Sequence, residues 1–143
     1  MKKLAIFFAI IIIVVCGVSY LYLNYKANYN IGQKFNSKFD TYLNKEIQGT
    51  ELATIINMAI DNNEKNSVEK DNKGVYIDNK ESSINIKIKF TDNDTIYSME
   101  PIYKKGIQSF VNYYGNITFK CTDIQYHNST KKIKYMLFEQ IAT

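Results

Sequence analysis

The feature that most constrains this 143-residue chain is a run of uncharged, mostly apolar residues at positions 4–23. In a helix with a rise of about 1.5 Å per residue, about 20 residues span roughly 30 Å, the thickness of a bilayer's hydrocarbon core. Tyr20, Tyr22, Tyr25 and Tyr29 lie at the end of the run and just beyond it, as expected for an aromatic belt where a helix leaves a membrane. The run therefore predicts a transmembrane signal anchor whose partner is membrane lipid.

Two alternatives to an uncleaved anchor explain the run less well. A cleaved signal peptide has an apolar region of about 7–15 residues followed by small residues, whereas tyrosines follow here. A lipoprotein would need a small residue before Cys16, and Val15 is not small. Cys16 is therefore interpreted as a thiol buried in the membrane.

The charges that flank the run predict its orientation. Lys2 and Lys3 precede it directly, so the positive-inside rule places residues 1–3 in the cytoplasm and residues 24–143 outside the cell membrane. Of the 18 basic residues these two are inside, which leaves 16 outside against 14 acids, too small an excess to attract a polyanion. All of the basic residues are lysine. Lysine lacks the planar guanidinium group with which arginine forms paired hydrogen bonds to guanine and phosphate, so no nucleic acid is expected as a partner.

The hydrophobic spacing divides the outer region into a juxtamembrane helical segment over residues 24–49 and a domain over residues 50–143. Phe35, Phe39 and Leu43 recur at helical spacing and predict a helix over residues 33–47 that ends at Gly49. Thr50 is a suitable N-cap for a second helix, which ends near residues 61–63. The apolar face of that helix consists of Leu52, Ile55, Ile56, Ala59 and Ile60.

From residue 75 onward the period changes to that of strands. Residues 83–90 alternate apolar and polar side chains, which is typical of a strand with one face in a core. Further strands are predicted over residues 75–78, 95–99, 117–126 and 133–138, with a bulge at Asp123 and a helix from Pro101 to Gly115. The expected fold is α+β, with the N-terminal transmembrane helix followed by helices packed on a small antiparallel sheet.

The candidate catalytic and metal-binding residues are few. His127 is the only histidine and is expected to be exposed in a hairpin turn, where Ser129 is too close in sequence to be aimed at it as a nucleophile. Asp92, Asn93 and Asp94 fit a plain turn better than a calcium loop. We therefore expect no catalytic residue, no metal site and no cofactor, and the chain is not predicted to be an enzyme.

Cys121 shares the inward phase of Phe119 and is expected to be a buried thiol. With Cys16 inside the membrane, the two cysteines cannot form an intramolecular disulfide, and a bridge between chains through Cys121 is the alternative. Tyr113 and Tyr114 are adjacent in a predicted helix, so they cannot both face a core. We therefore predict them as protein-contact residues, because tyrosine is enriched at interfaces.

Three segments carry a resemblance to known proteins: YLNKEIQGTELATIINMAIDNNEKN at residues 42–66, FKCTDIQYH at residues 119–127 and the terminal FEQ. They look like segments of short signal-anchored proteins of unknown function from low-GC Gram-positive bacteria. The resemblance implies a location at a bacterial surface and supplies no active-site residues.

In outline, one N-terminal span followed by a helix and a sheet is also similar to type IV pilins and pseudopilins. That family carries a glycine before the apolar segment and a glutamate near its start, whereas the first glycine here is Gly17 and the first acidic residue is Asp40. The predicted function is a non-catalytic interaction or assembly component of the bacterial envelope, with an unidentified envelope protein as partner and the oligomeric state left open. A pilin-like filament subunit and an envelope hydrolase are the alternatives.

Overall fold

The computed structural model describes residues 2–92 and 95–141. Met1, Asn93, Asp94, Ala142 and Thr143 lie outside the described residues. The predicted cytoplasmic segment, the predicted turn at residues 91–94 and the predicted domain at residues 50–143 therefore each lie partly outside the described residues.

The longest element is helix α1, Lys2–Leu43, which has 42 residues and a length of about 63 Å. It is long and apolar enough to cross a membrane, and none of its apolar part is buried by the other described residues. The separate helix predicted over residues 33–47 is wrong at both ends. The helix is continuous with the apolar run and ends at Leu43, and Ile47 lies in a strand.

Eight further elements follow α1 among the described residues. In chain order they are β1 (Glu46–Gln48), α2 (Gly49–Lys65), β2 (Asn85–Lys89), β3 (Ile96–Ser98), α3 (Met99–Lys105), α4 (Ile107–Tyr114), β4 (Thr118–Tyr126) and β5 (Ile133–Gln140). The α+β class is thereby confirmed.

The five strands form one sheet in the order β1-β4-β5-β2-β3. Three of the four neighbouring pairs are antiparallel, but β2 and β5 are parallel, with Ile86 opposite Met136 and Ile88 opposite Phe138. The prediction of a wholly antiparallel sheet is therefore wrong at its centre. Alternation along a strand indicates which side chains are buried, but it carries no information about the direction of the neighbouring strand.

Helix α2 covers the buried face of the sheet and supplies much of the core. The five residues of the predicted apolar face are all buried, and Ala53 is buried in addition. The helix begins two residues before the predicted start, because the backbone N–H of Gln48 donates to the Glu51 carboxylate at 2.9 Å and makes Gln48 the N-cap. Gly49 starts this helix rather than ending the previous one. The position requires glycine, because any Cβ there would overlap the Tyr114 carbonyl.

Three local predictions met different outcomes. The strand over residues 75–78 is reduced to one bridge between Lys70 and Tyr76. The helix from Pro101 to Gly115 is divided into α3 and α4, because Gly106 takes a φ of 107° that a helix interior cannot accommodate. The bulge in β4 is confirmed, since the register with β5 shifts by one residue between Cys121 and Asp123.

Besides the burial of Phe39 in the core, two close contacts fix the domain to the second half of α1. Gly32 lies so close to the turn between β4 and β5 that an added Cβ would be 2.6 Å from the Thr130 carbonyl oxygen. The buried Asn36 side chain donates to the Lys131 carbonyl at 2.9 Å and accepts the Ile133 N–H at 2.8 Å. Asn36 thereby pairs with the backbone as a neighbouring strand would.

These contacts give the domain a direction relative to the apolar run. The turn at residues 127–132 lies at the level of Gly32 and forms what we call the proximal end. Strand β5 runs from Ile133, at that end, to Gln140, where Ile141 pairs with Thr118 and residues 115–117 pair with the start of α2. This opposite end, which also holds β1, is called the distal end.

Candidate functional site

The most distinctive surface of the domain is an aromatic groove at the distal end, between the ends of β2 and β3 and the bend from α3 to α4. Its volume is about 280 Å³. Five aromatic side chains line it: Phe90, Tyr97, Phe110, Tyr113 and Tyr114. We call this surface the aromatic groove.

The floor of the aromatic groove is a set of rings in mutual contact. Phe90, directly after β2, lies 4.6 Å from Tyr114 and 5.5 Å from Tyr97, measured between ring centroids. Phe110 lies 5.3 Å from Tyr114 and stacks further on Phe119 at 6.4 Å. Ring pairs at these separations stabilise one another beyond the area that they bury, so the floor is preformed.

The positive φ of Gly106 sets the direction of the groove wall. It breaks the helix before Ile107, so that α4 starts in a new direction and turns Phe110 and Tyr114 toward Phe90. Phe110 and Tyr114 are four residues apart and therefore share one helix face. Tyr113 lies about 100° around the helix from Tyr114 and stands on the rim.

The structure thus separates the two tyrosines that the sequence singles out. Tyr113 is 77% exposed, more than any other large hydrophobic side chain among the described residues, whereas Tyr114 is half-buried on Phe90 and Phe110. Asp92 and Lys105 add one charge of each sign to the groove lining. Small-molecule sites usually have volumes of about 300–1,000 Å³, so this groove has the size for one or two inserted side chains.

The prediction of an exposed His127 is wrong. The residue begins the turn as expected, but its side chain is 1% exposed, and its Nε2 donates to the Ser83 carbonyl at 2.8 Å. The loop before β2 covers the His127 side chain. The periodicity within β4 does not predict this burial, because the covering loop comes from a distant part of the chain. Ser129 is directed elsewhere, since its hydroxyl donates to the Lys80 carbonyl.

A small polar cluster surrounds His127. Its Nδ1 has no hydrogen-bond partner among the described residues and lies 3.9 Å from the Asp78 carboxylate. Asp78 in turn pairs with Lys134 at 2.8 Å. The hydrogen bond from Lys134, with further ones from the Lys80 N–H and the Ser83 hydroxyl, lowers the pKa of Asp78 to about 2. The cluster therefore joins the 78–83 loop to β5.

Cys121 is half-buried rather than fully buried, beside the bulge in β4. Its thiol lies 3.5 Å from the Asp123 carbonyl oxygen, and burial raises its pKa to about 11. A thiol with such a pKa is almost wholly protonated at neutral pH, so Cys121 is a poor nucleophile.

Glu100 is a residue that sequence reasoning missed. It is 8% exposed, one carboxylate oxygen accepts the Tyr76 N–H at 3.1 Å, and the other has no partner among the described residues. It lines a second, larger cleft of about 510 Å³ together with Lys70, Lys73 and Lys104. Acidic residues are common in the first turn of a helix, where they stabilise the positive end of the helix dipole. The sequence around Glu100 therefore did not indicate that its side chain is buried.

Within residues 2–92 and 95–141, no three histidine, cysteine, aspartate or glutamate side chains are grouped so that they could hold a metal ion.

Comparison with known protein families, with curated proteins and with solved structures finds no match to this chain. Fold and surface together define a small α+β domain that carries a preformed aromatic groove at the end of a long, N-terminally apolar helix. The resemblances to short signal-anchored proteins and to pilins stay predictions.

Proposed function

We propose that the protein is a single-pass membrane protein that presents a non-catalytic binding domain outside the cell, and that the aromatic groove receives an apolar segment of another envelope protein. The observation that carries this proposal is the position of the groove. It lies at the distal end, so that a helix anchored through residues 4–23 would hold it away from the membrane with Tyr113 facing outward.

The composition of the groove supports a protein as its occupant. Tyrosine and phenylalanine are enriched in the cores of protein interfaces, where a few aromatic side chains carry most of the binding energy. A preformed floor also lowers the entropic cost of binding, because its rings are already fixed by one another. The complement of this surface is a partner segment with one or two large apolar side chains, flanked by charges that match Asp92 and Lys105.

The test is site-specific photocrosslinking in the native membrane. A photoreactive phenylalanine in place of Tyr113 is expected to crosslink one defined partner, and the crosslinked peptide should contain an apolar residue next to a charged one. The matched control replaces Tyr103, which is 43% exposed on α3 and lies outside the groove. Crosslinks at both positions, or only to a second copy of this chain, would contradict the proposal.

A Tyr113→Ala variant measures the contribution of that side chain. Loss of an aromatic residue central to binding costs about 2 kcal/mol or more, a decrease in affinity of roughly thirtyfold. Because Tyr113 is exposed, the free energy of unfolding should change by less than about 0.5 kcal/mol. Tyr114→Ala is unsuitable, since it would also remove ring contacts in the core.

The anchor is tested separately by cell fractionation. The full chain should stay with the membrane after alkaline extraction, and protease added to intact cells should digest residues 24–143. Recovery of that segment in the medium would show that the apolar run is a cleaved signal peptide.

A filament subunit of pilin type is the second candidate. The observation that favours it is the continuity of α1, whose apolar half projects from the domain while its other half packs against β4 and β5. Mass spectrometry of the mature N-terminus distinguishes the two. A chain that retains residues 1–3 fits a signal anchor, and removal of Lys2 and Lys3 with exposure of a new N-terminus fits pilin processing.

A further inference from the structure

The cleft lined by Glu100 is formed by α2, the loop at residues 70–76 and α3. Its volume of about 510 Å³ is within the range of small-molecule sites. Ile60 from α2, Tyr76 from the loop and Pro101 from α3 form its apolar part. We call it the Glu100 cleft.

Charges of opposite sign lie at different depths in the Glu100 cleft. Among the described residues that line it, Glu100 is the only acid, and it is 8% exposed. The three lysines of the lining, Lys70, Lys73 and Lys104, are all exposed. A negative group at the floor is thus surrounded by positive groups at the rim.

The carboxylate of Glu100 lacks a donor. One of its oxygens accepts the Tyr76 N–H at 3.1 Å, and the other has no hydrogen-bond partner among the described residues. A buried charged oxygen without a donor is costly, so such a group points to an ion, a water molecule or a ligand that supplies one. This oxygen is covered in the structure, but the last torsion of a glutamate side chain turns at little cost and can bring it to a donor in the cleft.

Two ammonium groups at the rim are available to an anionic group. Among the described residues, no acid forms an ion pair with Lys73 or Lys104. The backbone of Lys73 is fixed in a turn, where its N–H donates to the Asp71 carboxylate at 2.8 Å. Lys104 lies in the last turn of α3. The two lysines therefore present their charges from opposite elements of the cleft.

This arrangement favours a dipolar ligand over a simple ion. Two further acids lie near the rim: Glu64, which accepts a hydrogen bond from the Tyr76 hydroxyl at 3.4 Å, and Asp71. With Glu100 they balance the three lysines, so the cleft has no excess charge to attract an anion or a cation as such. A ligand that carries both charges, with the positive one inward, forms charge-assisted hydrogen bonds at the floor and at the rim.

We propose that the Glu100 cleft binds a small zwitterion of the amino-acid type, with its ammonium group against the Glu100 carboxylate and its carboxylate against Lys73 and Lys104. A free amino acid and a short peptide share this chemistry. The site is separate from the aromatic groove, and the proposal depends neither on that groove nor on the anchor.

The test is a titration of the full-length chain in a mild nonionic detergent, followed by saturation-transfer difference NMR. The probes are glycyl-leucine, its N-acetyl form, which is an anion, and its C-terminal amide, which is a cation. Glycyl-leucine is expected to bind at least about tenfold more tightly than either blocked form, because each of these loses one charge-assisted contact. Leucine is titrated in parallel, and the tighter of the two zwitterions shows whether the ligand is an amino acid or a peptide.

Three variants locate the binding. Glu100→Gln keeps an oxygen for the Tyr76 N–H but removes the charge, so it should abolish the preference for glycyl-leucine over its N-acetyl form. Lys104→Gln should lower the affinity for glycyl-leucine by about fivefold. The matched control is Lys105→Gln, which removes the adjacent exposed lysine; Lys105 lines the aromatic groove instead, and the affinity should not change.

Any of three results would overturn the proposal. Equal affinities for glycyl-leucine and its N-acetyl form would make the cleft an anion site, and equal losses in Lys104→Gln and Lys105→Gln would show that the rim takes no part. Absence of saturable binding of both zwitterions would show that the cleft is not a site for this class of ligand. Circular dichroism melting of each variant verifies that a loss of binding is not a loss of folding.

Discussion

The buried amide of Asn63 offers a sharp test of what holds the helical layer on the sheet. Asn63 lies at the end of α2 and is 0% exposed. Its Nδ2 donates to the Ile84 carbonyl and its Oδ1 accepts the Ile84 N–H, both at 2.8 Å. One side chain thus satisfies both backbone groups of the residue that precedes β2.

Replacement of Asn63 by alanine leaves both of these Ile84 groups buried without a partner. Each orphaned buried group costs about 1–3 kcal/mol, so Asn63→Ala is expected to lower the free energy of unfolding by about 2–6 kcal/mol. Domains of this size are stable by only about 5–15 kcal/mol, so the variant should be close to unfolding.

The assay is urea unfolding of the full chain in a mild nonionic detergent, followed by near-UV circular dichroism. Asn57→Ala is the matched control, because Asn57 is exposed on the same helix, and its free energy of unfolding should change by less than about 0.5 kcal/mol. A loss below about 1 kcal/mol for Asn63→Ala would refute the reasoning.

Asn63→Asp adds a pH signature to the same test. The aspartate can still accept the Ile84 N–H, but its second oxygen faces the Ile84 carbonyl and no longer donates. Burial would raise the pKa of this carboxyl in the folded state, so the variant is least stable at neutral pH and gains stability relative to the wild type as the pH falls. A relative loss on acidification would contradict the assigned hydrogen bonds.

Three further predictions concern other contacts. Gly32→Ala should destabilise the packing of the domain on α1, because its Cβ would meet backbone at 2.6 Å, whereas Gly17→Ala has nothing within 4 Å and should leave thermal unfolding unchanged. The folded-state pKa of Asp78 is about 2, so the stabilisation by its pair with Lys134 is present above about pH 4 and lost as the pH falls toward 2; Lys134→Gln should flatten this part of the pH dependence of urea unfolding. Peptide-resolved mass spectrometry should show that iodoacetamide modifies Cys121 slowly at about pH 8 in the folded chain and rapidly in urea, since burial raises its pKa to about 11.

The spacing of apolar residues within single elements was sufficient to predict much of this fold. The spacing of Leu52, Ile56 and Ile60 correctly predicted the buried face of α2, and the loss of phase at Asp123 correctly predicted the bulge. Both signals depend only on residues within one element and on the regular geometry of helix or strand.

Features that depend on distant parts of the chain were not predictable in this way. His127 is buried because the 78–83 loop folds over it, and the parallel pairing of β2 with β5 depends on where the C-terminal strand inserts. The helix predicted from Pro101 to Gly115 runs through Gly106, and only the φ of 107° at this residue shows that the chain turns there.

The candidate site was predictable in part. Adjacency of Tyr113 and Tyr114 was enough to expect that one of them faces solvent, and the structure shows that this one is Tyr113. The groove itself depends on Phe90, which lies over 20 residues earlier in the chain and reaches Tyr114 only through the tertiary fold.

The central position of β5 has a consequence for how such a chain is made. The sheet order places β5, the last of the described strands along the chain, between β4 and β2, so the two halves of the sheet have no contact through the ladder until residues 133–140 are present. A nascent chain that ends before Ile133 has β1 with β4 on one side and β2 with β3 on the other, each a two-stranded ribbon too small to be stable alone. The two ribbons therefore become one sheet only when residues 133–140 have been made and insert between them.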